Sequence, residues 1–138
     1  MVSRDTGTGS VLEQMVIPAL EGGGYAVQKR VVVGQRLGGG KHIADVLAEK
    51  DGRCVIVSLK WQQVYGTAEQ KVPFEVICLE DALESGGYEA AYLVLGGEGW
   101  KLRQFYTSGG LESHLRLSGK IRIVTLEKFV ARANRGEL

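Results

Sequence analysis

The stretch HIADVLAEKDGRCVIVSLKWQ, residues 42–62, decides how this chain is read. Residues 42–49 and 53–60 are two largely apolar runs, with Lys50, Asp51 and Gly52 between them. Asp-Gly between such runs is a strong hairpin signal, because both residues tolerate the left-handed backbone that a tight turn needs. Among the polar residues of the hairpin, Asp45 lies within the first run, and Ser58 and Lys60 end the second. Side chains two apart on a strand share a face, so Ser58 and Lys60 project together while Val57 and Leu59 face the other way. Taken alone, a lysine that ends an apolar strand simply reaches solvent. An acid on the paired strand gives it a reason to stay at the sheet.

Outward from the hairpin, glycines mark the other boundaries. The chain has 20 of them, 13 gathered at 22–24, 38–40, 86–87, 96–99 and 109–110, and each cluster separates two periodic segments. Ser10 is a good N-cap with Glu13 as its capping-box partner, Leu12, Met15, Val16 and Leu20 form an apolar stripe, and Pro18 stands where it would kink that helix. Residues 25–33 read as a strand and 61–66 as a loop; Thr67 is an N-cap for a helix to about residue 83, its first half disturbed by Pro73. Residues 90–95 read as a nearly all-apolar strand, 100–107 as a short helix, 121–124 as a last strand and 126–134 as a closing helix. The order is α-β-β-β-α-β-α-β-α. It describes an α/β chain forming one domain over 1–138, without internal repeat or linker.

Composition narrows the classes. A chain of 138 residues, 44% hydrophobic and 24% charged, is one ordinary globular domain, which excludes disordered and fibrous classes. Its apolar runs fall far short of the ~20 residues of a membrane-spanning helix. The N-terminus MVSRDTGTGS has no apolar signal core, so a cytoplasmic protein is expected. Cys54 and Cys78 lie in apolar segments without CxxC spacing and read as buried thiols rather than disulfide or zinc partners. A net charge of +1 gives no global sign of nucleic-acid binding; any such face must come from local clusters at QKR (28–30), RLGGGKH (36–42) and KLR (101–103). The chain has no GxGxxG, P-loop, GxSxG or HExxH, and no nucleotide cofactor is expected.

The element order, with Asp45 on the second strand and Lys60 on the third, resembles the PD-(D/E)XK nuclease superfamily. The resemblance covers roughly residues 10–95. It implies a restriction-endonuclease-like core, a central mixed β-sheet flanked by helices in the order αβββαβ, to which residues 96–138 add α-β-α. In that superfamily an acid on the second core strand and an acid-x-Lys on the third hold one or two magnesium ions. Asp45 matches the first acid and Lys60 the lysine, while Ser58 stands where the second acid is usual. The segment GSVLEQMVIPALEGGGYAVQKR (9–30) looks like the start of Holliday-junction resolvases, and Glu13 matches their helix glutamate. In some restriction enzymes a Ser-x-Lys is followed by a glutamate that reaches the vacant position from the next helix. Here GTAEQKVPFEV (66–76) supplies Glu69 and Glu75. Glu75 has the more similar spacing; Glu69, in the first helical turn, is equally explained by the helix dipole.

The function implied is a magnesium-dependent DNA endonuclease, junction-resolving or of homing or restriction type, with manganese as a substitute metal. Phosphodiester hydrolysis needs a metal to generate a nucleophilic water and to offset phosphate charge, and magnesium prefers carboxylate and water oxygens. Asp45 would be the central ligand, with Glu13 and Glu75 or Glu69 as further acids. Lys60 would be the catalytic cation and Gln62 an auxiliary phosphate or water contact. Arg36, Lys41, His42, Lys101 and Arg103 are the candidate DNA contacts. His42, three residues before Asp45, falls on the other strand face and is not expected as a ligand; its glycine loop reads equally as DNA-facing or merely solvated. GGEGWKLRQFYTSGG (96–110) suits backbone contact and base stacking, and equally a short packed helix. Trp61 is expected in the core and His114 at the surface. A small domain that cuts both strands is expected to work as a homodimer or homotetramer. The competing reading is a DNA-binding or assembly module that kept the fold and lost the chemistry.

Overall fold

The computed structural model describes residues 6–138, in which five strands form one sheet of order β1-β2-β3-β4-β5. These are β1 (Ala26–Gln35), β2 (Lys41–Lys50), β3 (Arg53–Trp61), β4 (Ala90–Gly96) and β5 (Ile121–Thr125). β1, β2 and β3 form an antiparallel meander, while β4 and β5 join it in parallel. The β2–β3 turn is made by Asp51 and Gly52, with φ of 53° and 78°, the paired left-handed geometry that suits the twist of a hairpin. The parallel β3–β4 pair needs a crossover, supplied by the long helix over Ala68–Gly86. β4 is covered on both faces, which explains its continuous apolar sequence.

Helices lie on both sides of the sheet. On one side, α1 (Thr6–Val11), a π-helical turn (Leu12–Val16) and α2 (Ile17–Gly22) pack with the last helix, Leu126–Asn134, over Val57, Tyr92 and Val94. On the other, α3 (Ala68–Gly86) packs Val72, Val76 and Leu79 against Ile56 and Leu93. α4 (Arg103–Thr107) and a short 3₁₀ turn (Gly110–Ser113) extend that second core through Tyr106 and Leu111. The last helix, α5, is capped by Thr125, whose hydroxyl accepts from the Lys128 amide.

Both prolines sit inside helices, and each is accommodated by a specific device. Ahead of Pro18, where a kink is expected, the helix takes a π turn, Ile17 donating to the Leu12 carbonyl five residues back. Ser10, expected as the N-cap, lies within α1 instead. Pro73 cannot donate to the carbonyl of Glu69, so that oxygen, in the first turn of α3, would be orphaned. Tyr106, from α4, gives it a hydroxyl hydrogen at 2.8 Å, and α3 runs unbroken. Thr67 makes no side-chain cap; the α3 amide of Ala68 donates to Gln62 Oε1 at 2.9 Å instead. Cys54 is half-buried and Cys78 buried, and both are free thiols.

One irregularity positions the site. Val27, Val46 and Ala48 face the α2–α5 core, whereas Val31, Val33 and Ala44 face α3. A regular strand keeps alternate residues on one face, so β1 and β2 both exchange faces between these groups. The exchange falls at Arg30, which has φ of 56° and lies across from Asp45 between the pairs Lys29↔Val46 and Val31↔Ala44. A left-handed backbone at a residue other than glycine is uncommon and costs energy, and such positions cluster at functional sites.

Candidate active site

β2 and β3 stay paired only from Lys50↔Arg53 to Val46↔Val57. At the next position the Asp45 side chain takes over the bonding role, its Oδ2 accepting from the Leu59 amide at 2.7 Å. Beyond that point β3 continues beside β4, and β2 beside β1. Glu75 comes to this place from α3, 4% exposed. Its Oε2 accepts from Ser58 Oγ at 3.1 Å and from His42 Nε2 at 2.9 Å. Its other oxygen, Oε1, lies 4.0 Å from both Lys60 Nζ and Arg36 Nη1. The arginine also covers the Phe74 ring, its guanidinium carbon 5.0 Å from the centroid.

The two carboxylates are driven apart electrostatically. Burial pushes the Asp45 carboxyl above its ordinary value and the Glu75 charge adds to this, against the opposing Leu59 amide, Lys60 and Arg30. Burial acts on Glu75 in the same sense. There it is outweighed by the His42 hydrogen bond, the Lys60 charge and the Ser58 hydroxyl, so Glu75 falls below its ordinary value. Separated carboxyl affinities of this kind are a common signature of sites that handle protons or metal ions.

Asp45 also borders a second recess, of about 430 Å³, lined by Leu12, Glu13, Lys29 and Arg30. Glu13 is exposed there and is ion-paired with Lys29 at 2.7 Å. The π turn and α2 thus bring Glu13 to the Asp45 side of the sheet, while α3 brings Glu75 to the Ser58 side.

Several expected roles are corrected by this geometry. Glu69 is no partner of Asp45: its Oε2 accepts from the Leu102 amide at 2.6 Å and is used in holding α4. Gln62 is buried rather than poised at a rim, with its amide donating to Gly99 O at 2.8 Å and its oxygen engaged by Ala68. His42 is 1% exposed and cannot reach DNA; it faces α3, where it meets Glu75. Arg103 donates to the Gly97 carbonyl at 2.8 Å and so braces its own loop. Lys41 and Lys101 are exposed, the latter 5.0 Å from the Tyr65 ring centroid. No strand alternation signals the His42 contact, and Arg30 was equally silent in the sequence.

Among the described residues, no group of three or more His, Cys, Asp and Glu side chains is gathered to hold a metal ion. The four acids expected from the sequence therefore do not form one cluster. Of these, only Glu75 is seen by Asp45 electrostatically, its charge opposing the ionisation of Asp45. Magnesium usually takes one or two protein carboxylates and completes its octahedron with waters and substrate phosphate oxygens, so carboxylates are the kind of donor such an ion would take here.

The model for the PD-(D/E)XK nuclease superfamily domain matches residues 4–137, and the chain belongs to that superfamily. Its mixed sheet flanked by helices is the restriction-endonuclease-like fold. A solved protein of unknown function has a similar fold, with TM-score 0.53 and 17% identity over 80% of this chain and 54% of that one. A repair endonuclease from Pyrococcus abyssi is also similar, with TM-score 0.45 and 20% identity over 91% of this chain and 46% of that one. The chain thus spans about half the length of these structural relatives. No curated protein matches its sequence. Among the described residues, no helix is long and apolar enough to cross a membrane.

Proposed function

We propose that the protein is a divalent-metal-dependent DNA endonuclease that hydrolyses phosphodiester bonds, with magnesium as the ion and manganese as a substitute. The observation that carries this reading is the delivery of buried Glu75 to Ser58, with Lys60 4.0 Å from its other oxygen. A helix carboxylate there offsets the acid missing from the Ser-x-Lys strand. Asp45 and Glu75 would hold the ion, which when bound supplies Lewis acidity and a water activated at neutral pH. Lys60 provides positive charge where the phosphate gains negative charge, and its ammonium can orient the attacking water. The Ser58 and His42 donors hold Glu75 Oε2, leaving Oε1 to face Lys60 and Arg36. Arg36, Lys41 and Lys101 serve as contacts to the DNA backbone. Glu13 is an outer acid of the Asp45 recess, available once Lys29 moves to phosphate.

One such site cuts one strand, so double-strand cleavage calls for a homodimer or homotetramer. Junction-resolving, homing and restriction-type enzymes all remain compatible with the site. A non-catalytic DNA-binding or assembly module is favoured by one observation: Glu75 already has Ser58, His42, Lys60 and Arg36 around it. Nicking of supercoiled plasmid, with magnesium and with EDTA, separates the two. The enzyme reading expects metal-dependent nicking that Lys60→Ala removes; a folded Lys60→Ala variant that still nicks would sink the assignment.

A further inference from the structure

Just past Lys60, the chain displays the two most exposed large hydrophobic side chains among the described residues, Val64 at 74% and Tyr65 at 65%. The loop that carries them is firmly held. Buried Gln62 bridges Gly99 O and Ala68 N, and the Gly99 amide donates back to Gln62 O at 2.8 Å. A Cβ at Gly97 would strike the Gln62 backbone, and one at Gly99 the Val64 backbone, so the two loops meet main chain to main chain. This contact leaves the side chains of residues 64 and 65 directed outward. Beside them Gly66, Glu69, Gln70, Lys101 and Leu102 line a groove with Tyr65.

The groove's chemistry selects among occupants. Its one acid, Glu69, is engaged by the Leu102 amide, whereas the Lys101 ammonium is exposed and lies 5.0 Å from the Tyr65 ring centroid. Gln70 is exposed and adds an amide able to donate and accept. An aromatic face, a cation and an amide together suit a nucleobase and its phosphate, and stacking tolerates any base sequence. In duplex DNA the faces of the bases are covered by their neighbours, so only unpaired bases can use such a platform. Tyr65 is five residues from Lys60, an extended reach of at most about 18 Å, which corresponds to a few nucleotides from the proposed site.

We propose that the Val64–Tyr65–Lys101 platform holds unpaired bases next to the cut, so that the substrate is DNA with a single-stranded arm or gap rather than continuous duplex. This rests on the nuclease reading and adds a substrate class to it. The test is fluorescence anisotropy in EDTA with labelled blunt duplex, the same duplex bearing a single-stranded arm, and single-stranded DNA. The armed duplex is expected to bind about tenfold tighter than the blunt one. Tyr65→Ala should erase that difference and Tyr65→Phe keep it, with blunt-duplex binding unchanged within about twofold in both. Equal affinity of the wild type for both duplexes, or a preference that survives Tyr65→Ala, overturns the platform and leaves the nuclease reading standing. Failure to bind or nick any DNA overturns both. If Tyr65→Ala instead turns an oligomer into a monomer on sedimentation, without altering DNA preference, the platform is a protein contact and the proposal is wrong.

Discussion

Ser58 donates its hydroxyl hydrogen to Glu75 across 3.1 Å, so the strand position where the superfamily usually has an acid holds an acid's partner instead. The carboxylate beside Ser58 therefore comes from α3. Glu75→Gln keeps the size and accepting oxygen of the side chain while removing its charge. We expect plasmid nicking to fall by at least about 100-fold and magnesium dependence to shift to higher concentration, with the melting temperature a few degrees lower at neutral pH because the charge is the stabilising form. Ser58→Ala removes one hydrogen bond to a buried charge and should cost roughly 2 kcal/mol by denaturant titration, with a smaller loss of nicking. Unchanged activity in Glu75→Gln would show that the helix carboxylate is not used.

His42 is the second donor to the same Glu75 oxygen, at 2.9 Å and out of solvent. Its removal leaves a buried carboxylate short of a partner. His42→Ala should cost about 3 kcal/mol, seen as a melting temperature lower by roughly 10 °C. His42→Gln, which can still donate, should recover much of the stability and of the apparent magnesium affinity. If the two variants behave alike, the hydrogen bond is not what His42 contributes.

The pH dependence of stability should carry opposite signs for the two acids. Asp45 is raised above its ordinary 3.8, so its ionisation weakens the fold; the penalty is absent below 3.8 and grows as pH rises through the raised value. Asp45→Asn should therefore melt a few degrees higher than wild type at pH 7 while losing activity, a gap that closes on acidification toward 3.8. Glu75 is lowered from 4.5, so its contribution is present above 4.5 and is lost as pH falls through the lowered value. Differential scanning fluorimetry from pH 3 to 8 on wild type, Asp45→Asn and Glu75→Gln checks both signs; a lower melting temperature for Asp45→Asn at pH 7 contradicts the first.

Pro73 and Tyr106 are coupled through the Glu69 carbonyl. Tyr106→Phe orphans that oxygen and should cost about 1–2 kcal/mol. In a Pro73→Ala background the new amide can serve Glu69, so the same Tyr106→Phe change should cost much less. Equal costs in the two backgrounds would show that the hydroxyl does not answer the proline.

The hairpin, the element order and the superfamily were legible because local chemistry sets them: Asp51-Gly52 at the turn, apolar runs on β3 and β4, and glycine clusters between elements. Asp45, Ser58 and Lys60 were visible for the same reason. Helix starts were less legible. Ser10 looked like a cap, but α1 already includes it, and the true partner of the Ala68 amide is Gln62 from the preceding loop. Residue parity placed Ser58 and Lys60 together, but it does not reveal that His42 meets Glu75. The exchange of faces at Arg30 and Asp45 depends on one left-handed residue that no alternation pattern marks. Gln62 and Glu69 had the right chemistry for a site, and only their backbone partners, Gly99, Ala68 and Leu102, distant in sequence or hidden in a loop, assign them to holding the fold.

The central claim is that Asp45 and Glu75 together hold the catalytic ion. A crystal soaked in manganese tests it most directly, through the anomalous signal of the metal. The account predicts a manganese peak contacted by carboxylate oxygens of both Asp45 and Glu75, with Lys60 beside it. A peak held by other residues, or none at this pair in crystals of protein that nicks DNA with manganese, would contradict it.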